Sequence, residues 1–245
     1  MAMLLAALIN TGYLIRIRSI RRKNEVRIAQ QQAKSDLMEL ELKAIRSQMN
    51  PHFIFNCLNS IQDLILNEKT DASYDYIVLF AQLVRNTLNY SNQDFIPFEK
   101  ELEFLNIYLR LEKLRFKDDF EYVIESNGVA DVKIPSLLVQ PFIENALVHG
   151  LLHKIGLKKL KVTFSLNEEL ICVIEDNGIG VEKSKAIKAR QGGHTSFAMA
   201  AIQKRLELLK QQGFDEAAYT LEDLGQAGNS EGTRVILTIP YTQLF

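Results

Sequence analysis

The apolar positions of this chain change their period along its length. From Met1 to Ile9 they are continuous, and Tyr13, Leu14 and Ile15 resume them after Asn10-Thr11-Gly12. Arg16, Arg18, Arg21, Arg22 and Lys23 follow at once. A bilayer-spanning helix needs about 20 apolar residues, so this run is short by itself. Positive charge placed after an apolar segment orients that side toward the cytoplasm, whereas a signal peptide carries its charge first. Residues 1–23 are read as the end of a transmembrane segment with its basic flank. An interfacial or partner-docking amphipathic segment is the alternative.

Asn24 to Asn50 has neither Gly nor Pro. Val26, Gln30, Ala33, Leu37, Leu40 and Ala44 recur at alternating spacings of four and three. That is a heptad seam with small or polar residues at several core positions, suited to a parallel dimer that must change. An ordinary amphipathic helix packed on its own chain is the other reading. Pro51 removes a backbone donor just before His52. Helical period then returns in Phe53, Ile54, Phe55, Leu58, Ile61, Leu64 and Ile65, and again in Tyr74, Ile77, Val78, Phe80, Ala81, Leu83, Val84 and Leu88. Between the two lies Asn67-Glu68-Lys69-Thr70-Asp71, a turn in which Thr70 or Asp71 can cap the second helix. Two such hairpins make a four-helix bundle. Residues 24–94 therefore read as a coiled-coil linker and a dimerisation hairpin.

From residue 95 onward the period alternates between helix and strand. Glu99 to Phe116 is helical, Phe120 to Ile124 extended, and Pro141 to His149 helical. Leu160–Leu166 and Leu170–Glu175 alternate at period two around Asn167-Glu168, as a hairpin does. Ser196–Gln211 reads as a helix, and Tyr219–Leu221 and Thr233–Ile239 as strands. Strands mixed with segregated helices give an α+β two-layer sandwich over residues 95–245.

Composition narrows the function. With 47% hydrophobic and 24% charged residues, the 245-residue chain is ordinary for a globular protein. A net charge of −1 gives no support to direct nucleic-acid binding. Cys57 and Cys172 sit in apolar contexts that match no zinc spacing and no disulfide framework. No G-x-x-x-x-G-K-[ST] loop and no Ser/Thr kinase signature is present.

Four stretches carry candidate chemistry. Asp176-Asn177-Gly178-Ile179-Gly180 follows an apolar strand. A carboxylate there can accept from an exocyclic amine, and the glycines let the backbone approach a flat ligand; a plain turn is equally consistent. In Glu144-Asn145-Ala146-Leu147-Val148-His149-Gly150, Asn145 and His149 lie four apart on one helix face. The Asn carbonyl is a hard oxygen suited to Mg²⁺, and His149 can meet a phosphate. The same segment also reads as a helix end closed by Gly150, with His149 favourable at the dipole's negative end. Gln191-Gly192-Gly193-His194-Thr195-Ser196 precedes a helix whose start can receive phosphate oxygens, or is simply the loop before a capped helix. Finally, His52 stands between Pro51 and aromatic Phe53 and Phe55, either a reactive imidazole or a packed structural one.

The order of these stretches is more specific than any one of them. Pro141-Phe142-Ile143-Glu144-Asn145-Ala146-Leu147-Val148-His149-Gly150, Asp176-Asn177-Gly178-Ile179-Gly180, the Gly/Thr/Ser loop and Glu231-Gly232-Thr233 together resemble the Bergerat-type ATPase domain. That domain is shared by gyrase, the Hsp90 chaperones, histidine kinases and the MutL proteins. With Gln48-Met49-Asn50-Pro51-His52-Phe53-Ile54-Phe55-Asn56 added, residues 40–240 resemble the membrane sensor histidine kinases of the LytS/YehU type.

The resemblance implies a dimeric hairpin bundle followed by a two-layer ATP-binding domain. It implies that His52 accepts the γ-phosphoryl group of ATP, that Asn56 orients the reacting groups, and that Asn145 holds Mg²⁺ with Glu144 in support. His149 would lie near the phosphates, Asp176 would read the adenine amino group, and Gly178 and Gly180 would shape the purine slot. Thr195 and Ser196 would belong to a lid, and Thr233 would line the adenine side. The implied partners are a second copy of the chain, the bacterial cell membrane through the N-terminal segment, and a response regulator receiver domain, often of the LytTR class, with the catalytic part in the cytoplasm. Two departures stand out. Phe53 occupies the place where many histidine kinases carry an acidic base. Ser196-Phe197-Ala198-Met199 replaces a Gly-x-Gly-Leu-like lid start. They support an alternative, a catalytically degenerate dimeric signalling module; a chaperone-type ATPase using Glu144 leaves His52 without a role.

Overall fold

The computed structural model describes Arg16 and residues 51–116, 119–190, 197–227 and 231–244. The membrane-segment and heptad readings of residues 1–50, lid residues Thr195 and Ser196, and the side chain of His52 lie outside the described residues. Apart from Pro51, the elements below belong to the unit His52–Phe245.

The predicted hairpin is present. Helix α1 spans Pro51–Leu66 and helix α2 spans Thr70–Ser91. The turn is secured locally: Asn67 Nδ2 donates to Asp63 O at 2.7 Å, and Glu68 takes a left-handed φ of 57°. Thr70 does not cap α2 but opens it; the cap position is Lys69, with no side-chain cap bond. Asp71 lies in the first turn, where its charge complements the helix dipole.

Helix α3 (Phe98–Phe116) follows a short strand β1 (Phe95–Pro97). It is buried along Glu101, Leu105, Tyr108 and Glu112, a row at helical spacing in which two carboxylates replace apolar residues. The hairpin docks on this helix. Phe53 and Cys57, four apart on α1, are buried, and the Phe53 ring stacks on Tyr108 with centroids 5.0 Å apart. Tyr76 of α2 is buried too, and its hydroxyl donates to Leu111 O at 3.5 Å. The hairpin keeps a second apolar face uncovered, with Phe55 65%, Leu66 73% and Tyr74 68% exposed. No helix among the described residues is long and apolar enough to cross a membrane.

The remaining chain forms a mixed α/β layer pair. Strands β2 (Phe120–Asn127), β4 (Lys158–Leu166), β5 (Leu170–Asp176), β7 (Thr233–Ile239) and β6 (Ala218–Asp223) lie in the order β2-β4-β5-β7-β6. β2 runs parallel to β4, and the other pairings are antiparallel. One face is apolar: Leu160, Val162 and Phe164 on β4, Leu170, Cys172 and Ile174 on β5, and Val235, Leu237 and Ile239 on β7 are buried. The alternate positions carry charge, with Arg234 bonded through Nε to Glu175 Oε1 at 2.6 Å. A sheet apolar on one face and polar on the other takes helices on one side only. That layer contains α3, α4 (Gln140–Asn145), α5 (Val181–Arg190) and α6 (Phe197–Gln211).

The sequence pattern misses several short or polar elements. β1, β3 (Val132–Pro135) and β8 (Thr242–Gln243) form a small second sheet in the order β1-β3-β8. Strands this short show too little period to stand out. α5 reads as a polar run because Lys183, Lys185, Lys188 and Arg190 crowd it.

Candidate functional site

Asp176 is the last residue of an inward-facing row, Leu170, Cys172, Ile174, Asp176. Period two therefore places its carboxylate on the helix-covered face, where it is only 6% exposed. Gly178 N–H donates to Asp176 Oδ1 at 2.7 Å, and Thr233, its register partner on β7, reaches the carboxylate through its N–H and its hydroxyl. Burial pushes the Asp176 carboxyl up to about 6, against the pull of those donors. A carboxylate so held is ionised at neutral pH and offers an acceptor inside an apolar surround.

Backbone closes around it on three sides. A Cβ at Gly150 would stand 2.7 Å from Asp176 Oδ1, one at Gly178 would stand 2.4 Å from the Gly150 carbonyl carbon, and one at Gly232 would stand 2.1 Å from Asp176 O. Gly150 belongs to a π-helical turn, Ala146–Leu151, that continues α4. The sequence reads α-helix up to His149 with Gly150 as a terminator; the helix instead continues, and Leu152 N–H donates to Leu147 O at 2.8 Å. Ile179 N–H donates to Gly150 O at 3.3 Å, tying the turn to the glycine loop. A π-turn of this kind is a common feature of functional sites.

These elements enclose a cavity of about 270 Å³. Asn145 and His149 line one wall, Asp176 and Thr233 the floor, and Gly180 with Val181, Ser184 and Lys185 of α5 the opposite wall. Phe142, Ile174, Leu221 and Val235 supply its apolar surface. A largely apolar space with a buried carboxylate acceptor among its lining residues suits an apolar-faced heterocycle that donates a hydrogen bond.

The predicted residues divide. Asn145, His149, Asp176, Gly180 and Thr233 meet at this cavity, and Gly178 packs directly behind it. Asn56 does not line it; it faces a separate groove with Asn59, Ser60 and Asp63 of α1 and Arg115 of α3. Glu144 is not a lining residue either. Burial is what chiefly pushes Tyr108 and Glu112 of α3 upward, and the charge of Glu144 adds to that in both.

Three further residues build the site without a motif to announce them. Glu101 is fully buried and accepts from Leu137 N–H at 2.9 Å and Val139 N–H at 3.4 Å, anchoring the approach to α4. Burial pushes its carboxyl up to about 7, opposed by those two amides and by Arg205. Arg205 of α6 donates to Ser136 O, holding the same segment from the other side. Asp223 of β6 accepts from Val181 N–H at 2.9 Å and Glu182 N–H at 3.2 Å through Oδ2, and from Gly225 N–H at 3.0 Å through Oδ1. Glu101 is visible as a carboxylate inside an apolar helical row; nothing in the sequence marks Asp223.

The chain is similar to known histidine kinases. The histidine kinase family matches residues 40–120. Sensor histidine kinase YpdA of Escherichia coli is 31% identical over 71% of this chain and 31% of its own length. Sensor protein LytS of Staphylococcus haemolyticus is 32% identical over 66% of this chain and 28% of its own length. The chain thus spans about a third of the length of these relatives. Among solved structures, the histidine kinase domain of the Erythrobacter litoralis EL346 blue-light activated histidine kinase is similar at 13% identity and TM-score 0.45, over 83% of this chain and 95% of that one. The sequence matches make the chain a relative of the LytS-type sensor histidine kinases.

Proposed function

We propose that this chain is the kinase part of a sensor histidine kinase of a two-component system, binding ATP in the cavity above Asp176 and phosphorylating His52. The observation that carries this reading is the buried Asp176 carboxylate at the floor of an apolar cavity whose wall presents Asn145 and His149. Adenine offers a planar face for the apolar walls and an exocyclic amine for the carboxylate.

In the reaction, a ring nitrogen of His52 forms a bond to the γ-phosphorus of ATP. The bond from that phosphorus to the β–γ bridging oxygen breaks, ADP leaves with its electron pair, and the imidazole's N–H proton passes to solvent. Phosphoryl transfer depends on in-line positioning and charge neutralisation more than on covalent help. The donor set fits Mg²⁺: the Asn145 amide oxygen is a hard ligand, and Mg²⁺ usually takes few protein ligands and completes its shell with phosphate oxygens and water. Bound there, the ion would neutralise phosphate charge. Glu144 supports this arrangement from the α3 side, and Asn56 orients the acceptor face of α1. Thr195 and Ser196 serve as lid residues over the phosphates.

The reading extends to partners. The uncovered apolar face of the hairpin, with Phe55, Leu66 and Tyr74, serves a second copy of the chain, giving a four-helix bundle. The phosphoryl group then passes to an aspartate of a response regulator receiver domain, often of the LytTR class. The N-terminal apolar segment holds the protein at the bacterial cell membrane, with the catalytic part in the cytoplasm. Ala198 in place of a lid glycine favours one second reading, a dimeric module that binds nucleotide without transfer. Equilibrium binding of ATP with and without Mg²⁺, in the parent and in Asp176→Asn, tests the site. The account expects tight binding in the parent and at least a tenfold loss in the variant; equal binding removes Asp176 from the base site.

A further inference from the structure

The cavity wall formed by α5 is mostly polar in sequence, with only Val181 and Ile187 as sizeable apolar side chains, both partly buried. Lys183, Lys185, Lys188 and Arg190 dominate the helix, and the Lys183–Glu231 ion pair that ties it to the loop before β7 is exposed on both sides. Exposed pairs of this kind contribute little. Yet Gly180, Val181, Ser184 and Lys185 form one side of the proposed nucleotide site. Something else must fix that wall.

We infer that Asp223 is the positioning residue for the nucleotide cavity, fastening the Gly180–Val181 wall to the outer strand β6. One carboxylate oxygen takes both leading amides of α5, Val181 N–H at 2.9 Å and Glu182 N–H at 3.2 Å. The other takes Gly225 N–H at 3.0 Å, at the start of the 3₁₀ turn Leu224–Ala227. Gly180 sits against the same group: a Cβ there would stand 3.0 Å from Asp223 Oδ1, and φ is +78°. Two residues back along β6, Leu221 lines the cavity. One side chain therefore sets the spacing between the two sides of the cavity that Gly180 and Leu221 represent. It does so from outside, touching no ligand. A negative charge beside the first amides of α5 also complements the helix dipole.

The consequence is specific. Loss of the carboxylate frees α5 to drift from the floor, so binding of the base weakens while the reacting groups on α1 and α4 keep their places. The effect falls on affinity and KM for ATP, with the rate at saturating ATP held within about threefold. This inference rests on the nucleotide reading of the site.

The experiment measures ATP·Mg²⁺ affinity and the KM and kcat of phosphorylation in the parent, Asp223→Ala and Asp223→Asn, with thermal unfolding in the absence of nucleotide alongside. The Ala variant is expected to bind ATP at least tenfold more weakly, with KM raised in step. The Asn variant keeps an acceptor oxygen and is expected to recover most of the loss, which a bulk destabilisation would not do. If the Ala variant does not fold, the comparison moves to Asn against the parent, where a rise of two- to fivefold in KM at unchanged kcat is expected. Parent-like affinity in the folded Ala variant, or a loss confined to kcat, overturns the inference. A parent that binds no ATP at all overturns the nucleotide reading, and this inference with it.

Discussion

Phe53, the residue after His52, stacks on Tyr108 of α3 with ring centroids 5.0 Å apart. Burial raises the Tyr108 hydroxyl first, and the charges of Glu112 and of Glu144, the residue preceding Asn145, add to it. The helix that carries His52 is thus seated on α3 through one aromatic stack. Truncating Phe53 to Ala removes a buried ring and the stack, a loss of about 3 kcal/mol or more. Denaturant unfolding is expected to show that loss, with ATP affinity within threefold of the parent and the initial rate of His52 phosphorylation reduced at least fivefold. A faster rate would mean that the stack holds the kinase off.

Gly150 tests the close packing around Asp176. An Ala methyl there would lie 2.7 Å from Asp176 Oδ1, and the neighbour is a buried, bonded carboxylate that cannot swing away. Overpacking of this kind costs about 1–3 kcal/mol. Gly150→Ala is expected to lower the unfolding midpoint by several degrees, about what such a loss implies for a domain of this size, and to weaken ATP binding at least tenfold. Binding at parent strength would show that the floor has more room than the backbone contacts indicate.

Three buried carboxyls give the protein an unusual pH response. Asp176 is raised from 3.8 to about 6, and Glu101 and Glu112 from 4.5 to about 7, each first by burial. Between their ordinary and raised values the folded chain binds more protons than the unfolded chain. The stability these three groups contribute is therefore fully present below about pH 4 and is lost as pH rises toward 7. For Asp176 the span corresponds to on the order of 3 kcal/mol at neutral pH. Thermal unfolding of the nucleotide-free protein is expected to show a lower midpoint at pH 8 than at pH 5.5. The parent should lose more stability than Asp176→Asn between pH 4 and pH 7, because the variant lacks one of these groups. A midpoint that rises across this range contradicts the buried positions of these carboxyls.

Asn145 is expected to carry the metal dependence. Asn145→Ala should abolish Mg²⁺-supported phosphorylation and should remove the Mg²⁺-dependent part of ATP affinity measured by calorimetry, since Mg²⁺ takes few protein ligands and loses one here. ATP affinity that still responds to Mg²⁺ in the variant would place the ion elsewhere.

The sequence is most informative where pattern and chemistry coincide. Alternation in Leu170–Asp176 yields both the strand and the side of the sheet on which the carboxylate stands. Helical spacing locates α1, α2 and α3, and Asn67–Lys69 locates the turn between the first two. The order of the motifs groups Asn145, His149, Asp176, Gly180 and Thr233, and the fold gathers these five at one cavity. What stays hidden depends on contacts between distant segments. The π-turn at Ala146–Leu151 follows from how Gly150 packs on Asp176 and Ile179, which no local propensity encodes. Asp223 is one acidic residue on an edge strand, and its meaning appears only when Val181 and Glu182 present their amides to it. Asn56 stands out in the sequence by its distance of one helical turn from His52, yet it faces a groove formed between the hairpin and Leu114 and Arg115 of α3.

The measurement that tests the central claim most directly is transfer of labelled γ-phosphate from ATP·Mg²⁺ to the purified chain, with His52→Gln in parallel. The account predicts acid-labile, alkali-stable label in the parent and none in the variant. Equal label in both would contradict His52 as the acceptor, and no label in the parent despite bound nucleotide would leave the binding module as the better description.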